Sequence, residues 1–262
     1  MPDKPSQRST GDRDRYNGQF APGFSRIHED VDLLWVVPFR VRYILGVSGY
    51  RFTGKTTALN HLAERHGFRL YTLSMMLREV AEDIGHPKTP RAQLQDLGDR
   101  LRREHDEGIL ARLALRRIRA DHLSHQGIAN RSPRIAVGGF KHPGEVEVFS
   151  RIPEFRLIAV TTDGDNVRYD RGQASGRMLA EIREAGGDAD ANLREQFAPL
   201  DNRDRRGMPE DDAFGQAVEA VVTEVDASDC IDNTPEGTEG LLGKLDAKVG
   251  ELDLRYRLPR GH

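Results

Sequence analysis

Only one cysteine, Cys230, occurs in the chain, so no internal disulfide can form and a reducing compartment is expected. At 262 residues the protein can bury a core without covalent staples. An excess of charge is lacking too. The 39 basic and 42 acidic residues leave a formal net charge of −3, too small a global field to select nucleic acid or an anionic membrane. Long apolar runs are also missing. The most apolar stretch, "VDLLWVVPFRVRYILGVSG", is interrupted by Asp32, Pro38, Arg40 and Arg42 and falls short of the ~20 residues a membrane helix needs. The start, "MPDKPSQRSTGDRDRYNGQFAPG", has no apolar signal-peptide core and reads as a polar tail. The nine histidines show no H-E-x-x-H or Cys/His ligand spacing, which argues against a structural zinc. These absences predict a cytoplasmic protein with neither nucleic-acid nor membrane partners, whose function must be read from a site.

What is present is an alternation of short β-type runs and longer helical ones. "VRYILGVS" predicts a strand, followed by a helix from Lys55 to about His66; "FRLYTL" predicts a second strand, followed by a helix "SMMLREVAEDI" with Ser74 as its cap. Thr89 as N-cap and Pro90 at the first helical position start the next helical stretch, in which Gly98 and Gly108 offer a break. "RIAVGG" and "FRLIAVTT" read as strands on either side of a helical "PGEVEVFSRI". Between Asp163 and Asp212 the chain is rich in Arg, Asp and Gly and poor in large apolar residues, the composition of a movable helical insertion rather than of core. A helix "DDAFGQAVEAVVTEV", a short strand near "DCIDN" and a helix from about Gly237 follow. Strands alternating with helices imply a parallel sheet covered on both faces, with no internal repeat. Trp35, in "LLWVVPF", fits either a core position or an edge element.

The stretch "GVSGYRFTGKTT" carries chemistry. Gly49, Gly54, Lys55 and Thr56 satisfy G-x-x-x-x-G-K-[ST] between a strand and a helix, the context in which backbone N–H groups converge on phosphate oxygens. The loop, with Thr53 inside it, would hold a nucleoside triphosphate. Lys55 would neutralise the β and γ phosphates, Thr56 would offer its hydroxyl to Mg²⁺, and Thr57 would reach the α phosphate. No N-K-x-D-type guanine motif occurs, and one such domain leaves little room for the modules of motor ATPases.

Four further segments resemble those of the adenylate-kinase-like nucleoside and deoxynucleoside monophosphate kinases and the related dephospho-coenzyme A kinases, over roughly residues 42 to 250. They are "LSMMLRE" (73–79), "LQDLGDRLRREH" (94–105), "IAVGGFKHPGEVEVF" (135–149) and "VRYDRGQASGR" (167–177). The resemblance implies an α/β P-loop NTPase fold: residues 1–40 as a polar, mobile extension, and residues 41–262 as a kinase domain with a small mobile Arg-rich lid at about 165–210. It implies ATP or GTP as donor with Mg²⁺, Arg78 and Arg102 as clamps on a phosphorylated acceptor, Lys141 in place of a family arginine, and Arg168, Arg171 and Arg177 as lid arginines acting on the transferring phosphate. Arginine suits these roles through its fixed fork and permanent charge.

Two family acids are absent. Met75 stands for the aspartate of S-D-x-L-R, and Gly138 for the aspartate of D-G-x-R. Asp163 and Asp165 are candidate substitutes for the second. Three readings stay open: a nucleotide kinase with relocated acids, a kinase retuned to a hydroxyl of a modified nucleoside, nucleotide or other metabolite, and a nucleotide-binding protein without catalysis. His142, in "FKHPGE", reads as a surface residue near the site, and Glu145 and Glu147 as a solvated helix face that could also reach the acceptor.

Overall fold

The computed structural model describes residues 41–124, 132–188, 191–207, 214–234 and 237–256; the expected N-terminal extension and Trp35 lie outside them. Five strands, β1 (Tyr43–Ser48), β2 (Arg69–Thr72), β3 (Arg134–Gly138), β4 (Phe155–Thr161) and β5 (Cys230–Asp232), form one parallel sheet in the order β2-β3-β1-β4-β5. All six residues of β1 are buried, as a central strand covered on both faces requires.

Alternation along β1 sorts its side chains between two cores. Tyr43, Leu45 and Val47 point to one face, where α1 (Lys55–His66) and α10 (Gly237–Arg255) bring Ala58, Leu62, Leu241, Leu245 and Val249. Ile44 points to the other, against α2 (Leu73–Asp83), α3 (Arg91–Glu104), α4 (Ile109–Ser124) and α5 (Pro143–Ser150), which contribute Met76, Leu97, Leu101, Ala114 and Phe149. Gly46 shares the face of Ile44, and a Cβ there would lie 2.9 Å from the Phe155 ring; the aromatic trio Phe140, Phe149 and Phe155 occupies the space.

Helix boundaries follow local chemistry, with three departures from the sequence expectation. Thr72, not Ser74, caps α2, its hydroxyl accepting from the Met75 amide at 3.1 Å. Pro90 is itself the N-cap of α3, while the Thr89 hydroxyl donates to the His86 carbonyl. The chain breaks before Ile109 but runs helical through Gly98, because a single glycine costs only ~1 kcal/mol inside a well-packed helix.

The segment expected to be poor in core is three helices, α6 (Gly164–Ala174), α7 (Arg177–Glu184) and α8 (Leu193–Arg206), around a core of their own. Met178, Ile182 and Phe197 are buried there, with Tyr169, Leu193, Leu200 and Phe52 packed against them. The helix expected over 211–225 is shorter: among the described residues only α9 (Val218–Thr223) is helical, and 214–217 and 224–225 lie outside it; no helix of the described residues is long and apolar enough to cross a membrane.

The tightest backbone approach lies where β1 ends. Gly49 has φ +140°, and a Cβ on it would sit 2.2 Å from the Val160 carbonyl oxygen of β4. Gly49→Ala should therefore cost more than about 2 kcal/mol of stability, through a backbone clash that no rotamer relieves; urea unfolding monitored by circular dichroism measures it.

Candidate phosphate-binding site

The loop after β1 opens at the carboxyl edge of the sheet, beside the central strand, where ligands of open α/β folds bind. Helix α1 begins there with Gly54 as N-cap (φ +108°) and no side-chain cap. Its first-turn amides are left for a ligand, and the helix dipole favours an anion. Gly54 is also a close-approach position: a Cβ would lie 2.5 Å from Nδ2 of Asn233, which donates to the Thr53 carbonyl at 2.7 Å. The residue following β5 thus supports the loop from behind. Thr53 is fully buried and donates to the Tyr50 carbonyl at 3.0 Å, so it shapes the loop, whereas Thr56 and Thr57 are exposed on the first turn of α1. The Lys55 ammonium bonds the same Tyr50 carbonyl.

Within the loop, Phe52 takes φ +61°, a conformation that costs a non-glycine residue roughly 1–2 kcal/mol. Its ring enters the core of α6–α8, 5.1 Å from that of Phe197 and flush against Gly172, where a Cβ would lie 2.6 Å from the ring. The burial offsets the strain and docks the three helices on the loop. Arg168 and Arg205 stack on Tyr50, 5.3 and 4.7 Å from the ring centroid.

Beside Lys55 lies a concentrated charge cluster. Asp204 of α8, 4% exposed, accepts from Lys141 and from Arg51 at 3.4 Å, with Arg91 at 3.9 Å. Glu181 of α7 pairs with Arg51 and with Arg91 at 3.3 Å, and Lys141 also donates to Gln216 at 2.8 Å. Burial opposes ionisation of Asp204, yet Lys141, Arg51 and Arg91 hold its carboxyl far below the usual carboxylate range. Burial, reinforced by Lys141, Arg91 and Arg51 against the pull of Asp204, pushes Lys55 down to about 7. Lys141 is lowered for the same reason, burial first. Four basic groups thus face two carboxylates, an imbalance that an incoming anion would correct.

The other expected site residues divide. Arg78 on α2 and Arg177 on α7 are exposed. Arg171 donates to the Asn233 carbonyl. Arg168, 1% exposed, bonds Asp201 at 2.8 Å, Asp165, and the Arg51 carbonyl at 3.1 Å; it fastens α6 to the loop. Arg102 corrects the expectation. It is 2% exposed and enclosed by Asp99 at 3.0 Å and Glu145 at 2.9 Å, so it braces the interior instead of presenting its fork to a ligand. Glu145 is fully buried, and its other oxygen accepts the amides of Lys141 at 2.7 Å and His142 at 3.2 Å. His142, buried too, caps α5 by accepting from the Gly144 amide. Both are scaffolding for Lys141, not surface groups. Arg51, Arg91, Glu181 and Asp204 were missed: three lie outside the motifs, and Arg51 occupies an unspecified loop position.

The absent strand-end acid has a steric counterpart. A Cβ on Gly138 would lie 2.5 Å from Cδ1 of Leu59, so Leu59 in its present rotamer and an aspartate at 138 exclude each other. Of the candidate substitutes, Asp163 is exposed and Asp165 is bound by Arg168 and Arg205.

Because Lys55 in the folded chain binds its proton more weakly than in the unfolded chain, its burial penalty is fully present below pH ~7 and is relieved as pH rises towards ~10.4. Lys55→Met should accordingly raise the urea midpoint at neutral pH, the gain shrinking by about pH 9.5. A constant gain would place its cause elsewhere.

A family model described as an AAA domain matches residues 45–186, from inside β1 to just past the end of α7. Among solved structures, the chain is similar to TT1252 from Thermus thermophilus, with 16% identity over 81% of this chain and 99% of that one and a TM-score of 0.44. It is likewise similar to an uncharacterized protein from Eubacterium ventriosum, with 15% identity over 80% of this chain and 98% of that one and a TM-score of 0.41. No curated protein matches. With more than half of its length matched by the family model and a phosphate loop between β1 and α1, the chain belongs to the AAA domain family.

Proposed function

We propose that the protein is a small-molecule kinase that moves the γ-phosphoryl group of ATP or GTP to a nucleotide-like phosphorylated acceptor. The observation that carries this reading is the cluster around Asp204: three cations close on one buried carboxylate beside the uncapped start of α1. A protein that only held a triphosphate would need the loop amides and Lys55. Arg51, Arg91 and Lys141 add a second anion-holding surface, the feature that distinguishes transfer between two phosphates from simple donor binding.

In this reading Gly49, Gly54, Thr57 and the loop amides hold the donor, and Lys55 leaves the Tyr50 carbonyl for the β and γ oxygens. Lys141, Arg51 and exposed Arg78 hold the acceptor phosphate, while Arg171 and Arg177 approach the charge that develops in transfer. An acceptor phosphate oxygen attacks the γ phosphorus in line, the bond to the β–γ bridging oxygen breaks, and a new phosphoanhydride forms. Thr56, with donor phosphates and water, fits the sparse protein ligation typical of Mg²⁺; bound there, the ion would offset charge on the β and γ oxygens. Asp204 would vacate the cluster as the anions enter.

The test is a phosphate-transfer screen of the full chain with Mg²⁺ and ATP or GTP against nucleoside and deoxynucleoside monophosphates, dephospho-coenzyme A and nucleosides, read by mass spectrometry. Diphosphate products are expected. Phosphorylation of a hydroxyl would favour the retuned kinase, and tight triphosphate binding without transfer to any acceptor would favour the non-catalytic binder. Lys55→Met should lower turnover by orders of magnitude in a folded protein; near-normal turnover would sink the assignment. Asp204→Asn, which removes the resident anion, should tighten inorganic tripolyphosphate binding several-fold by calorimetry. Unchanged or weaker binding would show that Asp204 does not compete for the cluster.

A further inference from the structure

On the face of the molecule covered by α1 and α10, two histidines and an aspartate converge. Nε2 of His61 and Nε2 of His66, both on α1, each lie 2.6 Å from the same oxygen, Oδ1 of Asp246 on α10. The two rings meet edge to face, with centroids 5.4 Å apart. A carboxylate offers about four lone-pair sites on two oxygens, so two N–H donors held only by hydrogen bonds would relieve their mutual crowding by dividing between them. Here both nitrogens aim at one point, and neither ring is shown with another polar partner among the described residues.

We propose that His61, His66 and Asp246 form a binding site for a divalent transition-metal ion of the zinc class, clipping α10 to α1. Two imidazoles and one carboxylate suit Zn²⁺, Co²⁺ or Ni²⁺ and not Mg²⁺ or Ca²⁺, which take oxygen ligands. The candidate ligand atoms all lie within 4.8 Å of one another. Around an ion with bonds of ~2.0–2.1 Å, tetrahedral ligand atoms stand roughly 3.3 Å apart, so the two nitrogen–oxygen separations of 2.6 Å would have to widen by under ~1 Å. They have room: the Asp246 side chain is 44% exposed, and those of His61 and His66 are 16% and 18% exposed. That open side admits the ion and leaves a fourth position to water. The backbone beneath is fixed, because Leu62 of α1 and Leu245 of α10, neighbours of the ligands in sequence, are fully buried in one core. Toward the end of α10, Asp253 is already tied to Arg42 and Arg134 at 3.2 and 2.7 Å; the ion would supply a further fastening along the same helix.

The experiment uses the full, tag-free chain stripped with a chelator and dialysed. Titration with Co²⁺ is expected to give visible d–d absorption saturating at one equivalent, and Zn²⁺ should bleach it. Zn²⁺ should also raise the melting temperature. His61→Gln and His66→Gln should each weaken Co²⁺ binding at least about tenfold and remove the Zn²⁺-induced shift, with the metal-free far-UV spectrum unchanged. Asp246→Asn, which keeps an oxygen but loses the charge, should weaken binding in the same direction. Absence of saturable Co²⁺ binding would overturn the proposal, as would binding indifferent to both histidine substitutions. If a glutamine variant lowers the metal-free melting temperature and Zn²⁺ still stabilises it as much as the wild type, the cluster is a hydrogen-bonded contact only and the proposal falls. None of these readouts depends on phosphate transfer.

Discussion

Charge balance at the mouth of the β1–α1 loop governs the rest of the molecule. A helix start without a cap, a partly buried lysine and three further basic groups cannot be left together in a low-dielectric cleft without an anion. In the unliganded chain that anion comes from α8, as Asp204, with Glu181 of α7 beside it. The placement of the α6–α8 unit follows from this requirement as much as from its apolar core. It also explains why Glu145 and Arg102 are buried: the strand end that presents Lys141 must itself be held, and Glu145 holds it by two backbone amides while Arg102 neutralises Glu145.

The loop and the α6–α8 helices share parts. Phe52 is covalently part of the loop and packs in the core of α6–α8; Arg168 belongs to α6 and bonds a loop carbonyl. A movement of these helices cannot leave the loop unchanged, since withdrawing the Phe197 surface would leave Phe52 with an unfavourable backbone conformation and nothing to offset it. By reciprocity, whatever fixes the loop also biases the position of the helices.

The fold was legible because its signals are local or periodic. "VRYILGVS" has the density of apolar residues that only a doubly covered strand can use, and the glycine–lysine spacing after it names a backbone geometry. The core of α6–α8 was not legible: Met178, Ile182 and Phe197 are thinly spread among charges. Burial of charge was the least readable feature. Arg102 and Arg78 each lie on a helix with an acidic residue close in sequence, yet one is enclosed by Asp99 and Glu145 and the other is exposed. Asp99 lies one turn before Arg102 on the same helix, but Glu145, which completes the enclosure, comes from another element and leaves no mark in the local sequence. The same holds for His61 and His66, which match no ligand spacing and acquire their third group from Asp246, far along the chain.

The bond from Asn233 to the Thr53 carbonyl spans 180 positions. The loop emerges from the ribosome early, its rear support late. Before β5 joins the sheet, the loop lacks the side chain that fills the space behind Gly54, so the segment with the greatest appetite for phosphate is completed among the last. Contacts of such long range slow folding, and here they delay the maturation of the site as well, keeping a partly synthesised chain from presenting a finished nucleotide pocket.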